Sequence, residues 1–124
     1  MNAAQEGTTR SDATEGSALP DVVAAHLAAH EARDADRELV CYADDAVVSD
    51  DGQTYRGRAE IRAWLSRAAG EYTYTSTLTG VRQEDADHWT AVRHLEGDFP
   101  GGVVDLRYRY TLAAGRITSL VIAP

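Results

Sequence analysis

The fold of this chain follows from the stretch Gly97–Leu112, which reads GDFPGGVVDLRYRYTL. Apolar and polar side chains alternate in its second half, where the apolar set is Val104, Leu106, Tyr108, Tyr110 and Leu112. A period of two is typical of a β-strand with one buried and one exposed face. We therefore expect a sheet that is covered on one side. The hydroxyls of the two buried tyrosines then need hydrogen-bond partners or a ligand, so the covered face is a candidate pocket.

Length and charge limit the class of protein. The 124 residues suffice for one domain with a core, and 44% hydrophobic and 26% charged residues are ordinary for a globular protein. The net charge of −8 argues against a nucleic-acid or anionic-membrane surface, because phosphate binding needs a basic stripe. We therefore expect a small-molecule or protein partner, with no nucleic acid and no membrane.

The first segment of the chain differs from the rest in composition. Residues 1–18 are small and polar, and we expect a disordered tail because they lack the apolar side chains that packing needs. The domain then spans residues 19–124. The single Cys41 cannot form an internal disulfide, and we expect a buried, unreactive thiol. Because the sequence shows neither a signal-peptide core nor a membrane-length apolar run, we expect a cytoplasmic protein.

Helical patterns come first in the domain and strand patterns follow. Pro20-Asp21 opens a helix that carries His26, and a second short helix is expected to hold Leu39, Val40 and Tyr42. Beyond these, periodicity predicts strands over 46–50, 54–57, 72–84, 88–97, 104–112 and 116–123, with a helix over 58–69. This order predicts an α+β fold, with N-terminal helices packed on a strongly curved mixed or antiparallel sheet.

Asp50 is the first candidate for chemistry. It follows Val48 by two residues in an apolar strand, so both side chains face the same way. If that face is buried, Asp50 is a carboxylate whose pKa is raised by the loss of water, as a general base requires. The alternative is a solvated turn acid that belongs with Asp51-Gly52. Spacing alone leaves both interpretations open.

His26 and His30 have the i, i+4 spacing of a metal-binding pair. No third ligand stands at a helical interval beside them, so we expect no metal. A histidine packed in the core with its nitrogens hydrogen-bonded is the commoner outcome for His26. His30 is nearer to the acidic end of its helix, and we expect it at the solvent edge.

The strand over 88–97 has two mixed faces. Trp89 and Arg93 lie on one face, and His94 and Glu96 lie on the other. We favour the Trp89 face as the buried one, because tryptophan buries the largest apolar area. Arg93 is then a buried cation that needs an acid, and Asp50 is a candidate partner. In the opposite register His94 and Glu96 become the polar pair beneath the sheet or at a subunit contact.

Several strings of the sequence resemble a known family. They are EARDAD at 31–36, YADDAVVSDDG at 42–52, YRGRAEI at 55–61, GDFPG at 97–101 and LRYRY at 106–110. In this order they resemble the SnoaL-like and ketosteroid-isomerase-like branch of the nuclear transport factor 2-like superfamily, and the resemblance covers everything after the tail. It implies a cone-shaped fold with a pocket at its open end and a homodimer formed through the convex sheet face.

The resemblance also implies roles for individual residues. Asp50 falls at the position of the general base of the isomerases, whereas His26 and Tyr108 stand where that group has a tyrosine and a protonated aspartate as oxyanion donors. An imidazole N–H and a phenol O–H remain two donors, so proton abstraction with enolate stabilisation is chemically feasible. The residues expected to contact a substrate are Trp64, Tyr74, Trp89, Arg93, Tyr42 and Tyr110.

Three functions are compatible with these observations. The leading one is a cofactor-free acid/base enzyme of the isomerase or polyketide-cyclase type that acts on a hydrophobic, carbonyl-bearing small molecule. The second resembles the epoxide hydrolases and ether-forming cyclases of the superfamily and uses Asp50 together with Arg93. The third is a ligand-binding or dimerisation module without catalysis, because a polar pocket alone does not establish an enzyme.

Overall fold

The computed structural model describes residues 19–124, and the expected tail lies outside the described residues. The elements are α1 (Asp21–Glu31), α2 (Ala35–Leu39), β1 (Tyr42–Asp50), β2 (Gln53–Arg56), α3 (Gly57–Ala68), β3 (Tyr74–Asp85), β4 (His88–Gly97), β5 (Val103–Ala113) and β6 (Arg116–Ala123). None of the helices in this part of the chain is long and apolar enough to cross a membrane.

The six strands form one mixed sheet in the order β2-β1-β6-β5-β4-β3. β1 and β6 run parallel, and every other neighbouring pair is antiparallel. Register shifts interrupt the β1–β6, β3–β4 and β5–β6 ladders, and such irregularities bend strands and increase their twist. The sheet curls around the helices without closing, with β2 and β3 as its edges, which confirms the predicted α+β fold.

β5 lies inside the sheet and shows the alternation predicted for it. Tyr108 and Tyr110 are buried, whereas Arg107 and Arg109 are exposed. The prediction for β4 is also confirmed, since Arg93 is buried together with its neighbours at alternate positions, Ala91 and Leu95.

One row of paired residues crosses the inner face of the sheet at the end of β1. Asp50 pairs with Ile122 on β6, Ile122 pairs with Tyr108 on β5, and Tyr108 pairs with Ala91 on β4. Residues directly opposite each other on paired strands point to the same face. Ile122, Tyr108 and Ala91 are buried, so Asp50 belongs to the inner face as well.

The second helix and the first strand differ from their predictions. α2 ends at Leu39, and Tyr42 begins β1 instead of extending the helix. The reason is long-range pairing: the Ile117 N–H donates to the Cys41 carbonyl at 2.9 Å, which places Tyr42 beside β6. Cys41 is buried as expected, although it lies in the connection between the two elements. Asp44 is an exposed residue of β1 whose carboxylate pairs with Arg58 at 3.0 Å.

The register of β6 can be tested with two adjacent residues. Leu120 is fully buried, whereas Val121 is 37% exposed on the other face. Leu120→Ala should lower the free energy of unfolding by about 2–5 kcal/mol, because it leaves a cavity in the core. Val121→Ala should lower it by less than about 1 kcal/mol. Urea denaturation of both variants measures the difference, and equal losses would mean that the register is shifted by one residue.

Candidate functional site

Asp50 ends β1 on the inner face of the sheet and is partly buried. The Trp64 indole N–H donates a hydrogen bond to Asp50 Oδ2 at 3.0 Å, and within residues 19–124 no other side chain bonds this carboxylate. Burial raises the pKa of Asp50 above its ordinary value, and the hydrogen bond from Trp64 offsets part of the rise. A raised pKa is what we expect for a general base that is partly shielded from water.

Trp64 is fixed in position by aromatic neighbours on both faces. Its ring stacks on Tyr55 of β2 at 5.7 Å and on His30 of α1 at 5.9 Å between centroids. α3 supplies Trp64 because Ile61, Trp64 and Leu65 fall on its buried side. The indole N–H is therefore held toward the end of β1, where Asp50 accepts its hydrogen bond.

Tyr108 lies in the same row as Asp50, two strands away across Ile122. Its side chain is 3% exposed, and burial raises the pKa of its hydroxyl well above the ordinary value. No residue in the range 19–124 forms a hydrogen bond with this hydroxyl, whereas the hydroxyls of Tyr42 and Tyr110 are bonded. Tyr108 is thus a neutral O–H donor on the inner face.

His26 is a core residue instead of a ligand-facing donor. It is completely buried, with Nδ1 at 2.8 Å from the Tyr110 hydroxyl and Nε2 at 3.0 Å from Glu38 Oε2 and 2.9 Å from the Tyr42 hydroxyl. Burial lowers its pKa, which favours the neutral ring. The expectation that His26 donates to a substrate is corrected here, because both of its nitrogens are occupied within the core.

Glu38 is the residue on which these contacts converge. It is 1% exposed, and its Oε2 accepts hydrogen bonds from the Tyr42 hydroxyl at 2.8 Å and from His26 Nε2. Its Oε1 accepts a bond from His30 Nδ1 at 2.9 Å. Burial alone would raise the pKa of Glu38, but the hydrogen bonds from His26 and His30 outweigh it and hold this pKa well below the usual range. Glu38 is therefore a buried carboxylate anion.

These contacts determine which nitrogen of His26 carries its proton. The Tyr42 hydroxyl donates its only hydrogen to Glu38, so the hydrogen between His26 and Glu38 must be on His26 Nε2. In a neutral ring Nδ1 then has a lone pair, and it accepts the hydrogen of the Tyr110 hydroxyl. In this tautomer both nitrogens of His26 and the hydroxyls of Tyr42 and Tyr110 have hydrogen-bond partners.

His30 is not at the solvent edge, contrary to expectation. Its side chain is 17% exposed and lies between His26, whose ring is stacked at 5.6 Å, and Trp64. The edge of Tyr108 also meets its ring at 5.8 Å. The i, i+4 spacing of the histidines was visible in the sequence, but nothing in the pattern of the five-residue α2 indicated that Glu38 would join them.

A cavity of about 250 Å³ opens beside His30. It lies between the end of α1, α2, the second half of α3 and the start of β3, and it is lined by His30, Arg33, Ala35, Glu38, Leu65, Ser66, Ala68, Ala69 and Tyr74. Arg33 lies across Tyr74, 5.2 Å from the ring centroid, and donates to the Ala69 and Tyr72 carbonyls at 2.7 and 3.1 Å. Of the expected substrate contacts, Tyr74 lines this space.

Arg93 does not pair with Asp50. Its guanidinium meets Glu31 Oε1 at 2.9 Å, at the end of α1, and donates to the Ser76 hydroxyl at 3.1 Å. The buried cation does find an acid, but the acid comes from a helix that crosses the sheet instead of from β1. The Asp50–Arg93 pair on which the epoxide-hydrolase reading depended is therefore absent from the described residues.

Three more expected contact residues belong to the core. Tyr42 and Tyr110 are almost fully buried and direct their hydroxyls to Glu38 and His26. Trp89 is partly buried and packs against the same core, outside the cavity lining. The wall of the candidate site is therefore smaller than predicted.

The ligating atoms of His26, His30 and Glu38 lie within 4.8 Å of one another. Two imidazoles and a carboxylate form a donor set that binds several divalent metals. The facing nitrogens and both carboxylate oxygens are, however, already joined by hydrogen bonds of 2.9–3.0 Å. The three side chains therefore form a hydrogen-bonded network.

Comparison with known proteins identifies the family. The model of the SnoaL-like domain matches residues 23–120, which is most of the chain. This chain belongs to the SnoaL-like family. A search of curated proteins finds no significant relative of it.

Solved structures agree with this SnoaL-like assignment. A candidate polyketide cyclase from Sinorhizobium meliloti is 32% identical, with a TM-score of 0.79 over 85% of this chain and 95% of the other. A Catenulispora acidiphila protein with a ketosteroid isomerase-like fold, in complex with trimethylamine, gives 23% identity and a TM-score of 0.73 over 86% of each chain. A Mycobacterium tuberculosis protein in complex with estradiol-17beta-hemisuccinate gives 20% identity and a TM-score of 0.68 over 83% of this chain and 90% of the other.

The raised pKa of Asp50 predicts how this SnoaL-like protein responds to pH. A carboxyl whose pKa is higher in the folded state than in the unfolded state stabilises the fold below the unfolded value of about 3.9, and the stabilisation is lost as pH rises through the folded value. Asp50→Asn keeps an acceptor for Trp64 and removes the charge, so its melting temperature should exceed that of the wild type at pH 7 and equal it near pH 3.

Asp45→Asn is the control for this prediction, because Asp45 is exposed on the same strand. It should shift the melting temperature little at either pH. A lower melting temperature for Asp50→Asn at neutral pH would show that the Asp50 charge stabilises the fold, which contradicts the analysis.

Proposed function

We propose that this protein is a cofactor-free acid/base enzyme that removes a proton next to the carbonyl group of an apolar small molecule. The observation that carries the proposal is the Asp50 carboxylate, which is partly buried, has a raised pKa and is held through one oxygen by Trp64. A raised pKa makes the ionised Asp50 carboxylate a stronger base than an ordinary aspartate, as proton abstraction from carbon requires.

The proposed reaction uses Asp50 and Tyr108 together. Asp50 Oδ1 takes the α-proton, and the electron pair of the broken C–H bond moves onto the carbonyl oxygen to form an enolate. The Tyr108 hydroxyl, which lies in the same row of the sheet, donates a hydrogen bond to that oxygen. Paired strands are spaced about 4.8 Å apart, so about 10 Å separates the backbones of Asp50 and Tyr108. The protonated Asp50 then returns the proton to carbon.

The relatives support the substrate class. The Sinorhizobium meliloti protein is a candidate polyketide cyclase, and the Mycobacterium tuberculosis protein binds a steroid ester. Both names point to apolar molecules with carbonyl or ester oxygens, and a largely apolar inner face with a few polar side chains suits such ligands. The epoxide-hydrolase alternative is not favoured, because Arg93 is paired with Glu31.

Exchange of carbon-bound protons tests this proposal without knowledge of the natural substrate. The probe is β-tetralone, an apolar bicyclic ketone whose α-protons exchange slowly with deuterium oxide and can be followed by NMR. The wild type should accelerate exchange, and Asp50→Asn should lose at least about a hundredfold of the acceleration. Tyr108→Phe should lose a comparable factor of about a hundred, because it removes the donor to the enolate oxygen.

Quenching of tryptophan fluorescence by the ketone measures binding separately, and Asp50→Asn should bind as tightly as the wild type. Asp45→Asn, on the exposed side of β1, should exchange at the wild-type rate. Full exchange activity in Asp50→Asn would overturn the assignment of the base. Binding by the wild type with no acceleration would identify a ligand-binding module instead of an enzyme.

A further inference from the structure

The contacts of His30 have no role in the reaction proposed above. We propose that His30 is a second proton-transfer residue of this site, which donates a proton from Nε2 to a substrate oxygen. The preferred substrates would then be ketones with a hydroxyl group at the β position, from which water is lost. The proposal rests on the proposed function only in taking Asp50 as the base that removes the α-proton.

His30 is held more firmly than a residue at the edge of a cavity usually is. Its ring lies between His26 and Trp64, and Tyr108 meets its edge. Nδ1 bonds to Glu38 Oε1 at 2.9 Å. Since the two nitrogens of an imidazole are on opposite sides of the ring, this bond turns Nε2 away from Glu38. Within residues 19–124 nothing forms a hydrogen bond to His30 Nε2.

Glu38 gives His30 the charge environment that proton transfer needs. It is a buried carboxylate anion, whose Oε2 accepts hydrogen bonds from Tyr42 and His26 and whose Oε1 accepts one from His30. His26 is fixed as a neutral ring by its bonds to Tyr110 and Glu38. The anion accepts the hydrogen bond of His30 Nδ1, and a carboxylate behind an imidazole orients the ring for proton transfer.

His30 is also in the right place relative to the other two functional groups. It stacks on Trp64, whose indole N–H is bonded to Asp50, and its ring is 5.8 Å from that of Tyr108. Burial raises the pKa of Asp50, and the electrostatic effect of His30 lowers it by a smaller amount. A substrate bound between Asp50 and Tyr108 would lie next to His30, which also lines the separate cavity between α1, α2, α3 and β3.

The balanced step is the dehydration of a β-hydroxyketone. Asp50 takes the α-proton, and the electrons of that bond form the carbon–carbon double bond as the bond from the β-carbon to its hydroxyl oxygen breaks. His30 gives its Nε2 proton to the departing hydroxyl, which leaves as water. The neutral His30 then regains a proton as Asp50 loses one to solvent, so no cofactor or oxidant is consumed.

Two probe reactions separate this role from that of Asp50. The first is the α-proton exchange of β-tetralone, which needs a base and an enolate donor. The second is the conversion of the aldol of acetone and benzaldehyde into benzalacetone, which also needs an acid for the leaving hydroxyl and can be followed by its absorbance. The variant is His30→Asn, whose side-chain amide nitrogen overlays Nδ1 and preserves the bond to Glu38 while removing Nε2.

His30→Asn should slow the dehydration by about a hundredfold and change the exchange rate by less than about threefold. The matched control is His88→Asn, because His88 Nδ1 also bonds a carboxylate, Asp85 Oδ1 at 2.7 Å, but on the exposed surface. It should leave both rates unchanged.

An unchanged dehydration rate in His30→Asn would overturn the proposal. An equal fall in both reactions would also overturn it, since it would show that His30 only supports the structure of the site. Failure of the proposed function gives a different result: Asp50→Asn would then retain both reactions, whatever the effect of His30→Asn on dehydration.

Discussion

The buried Glu38 carboxylate is the constraint on which the rest of the structure depends. An anion in a protein interior is tolerated only when its oxygens are fully hydrogen-bonded, and here the donors come from α1 and β1. His26 extends the network to Tyr110 on β5, so one charge of α2 ties the helices to both halves of the sheet. Apolar contacts supply most of the burial, but they do not fix orientation to this degree.

The candidate site is built outward from that network. Glu38 orients His30, His30 stacks on Trp64, and the Trp64 indole bonds Asp50, so each contact fixes the next residue in the series. The two carboxylates at the ends of this series have opposite environments. Hydrogen bonds keep the pKa of Glu38 low, while burial raises the pKa of Asp50. Acid/base sites commonly contain two titratable groups whose surroundings move their pKa values in opposite directions. Here one connected set of contacts produces both surroundings.

Part of this arrangement could be predicted from the sequence. The features that could be predicted depend on local periodicity, and those that could not depend on contacts between distant residues. The inward position of Tyr108 follows from a period of two, which is a local property of a strand, whereas spacing left Asp50 open between the inner face and a solvated turn. The Glu38 network and the Arg93–Glu31 pair join residues that are distant in sequence, and no local period encodes them. Tyr42 was misassigned for the same reason, because pairing with β6 overrode the helical pattern. The sequence resemblance assigned a donor role to His26, but both of its ring nitrogens are hydrogen-bonded within the core.

The central claim is that an ionised Glu38 holds the two histidines in opposite protonation patterns. A long-range proton–nitrogen NMR correlation spectrum of the imidazole rings measures this directly, with His30→Asn used for assignment. The account predicts that His26 Nδ1 carries no proton and His26 Nε2 carries one, while His30 Nδ1 is protonated at every pH at which the fold persists. A proton on His26 Nδ1, or a lone pair on His30 Nδ1, would contradict it.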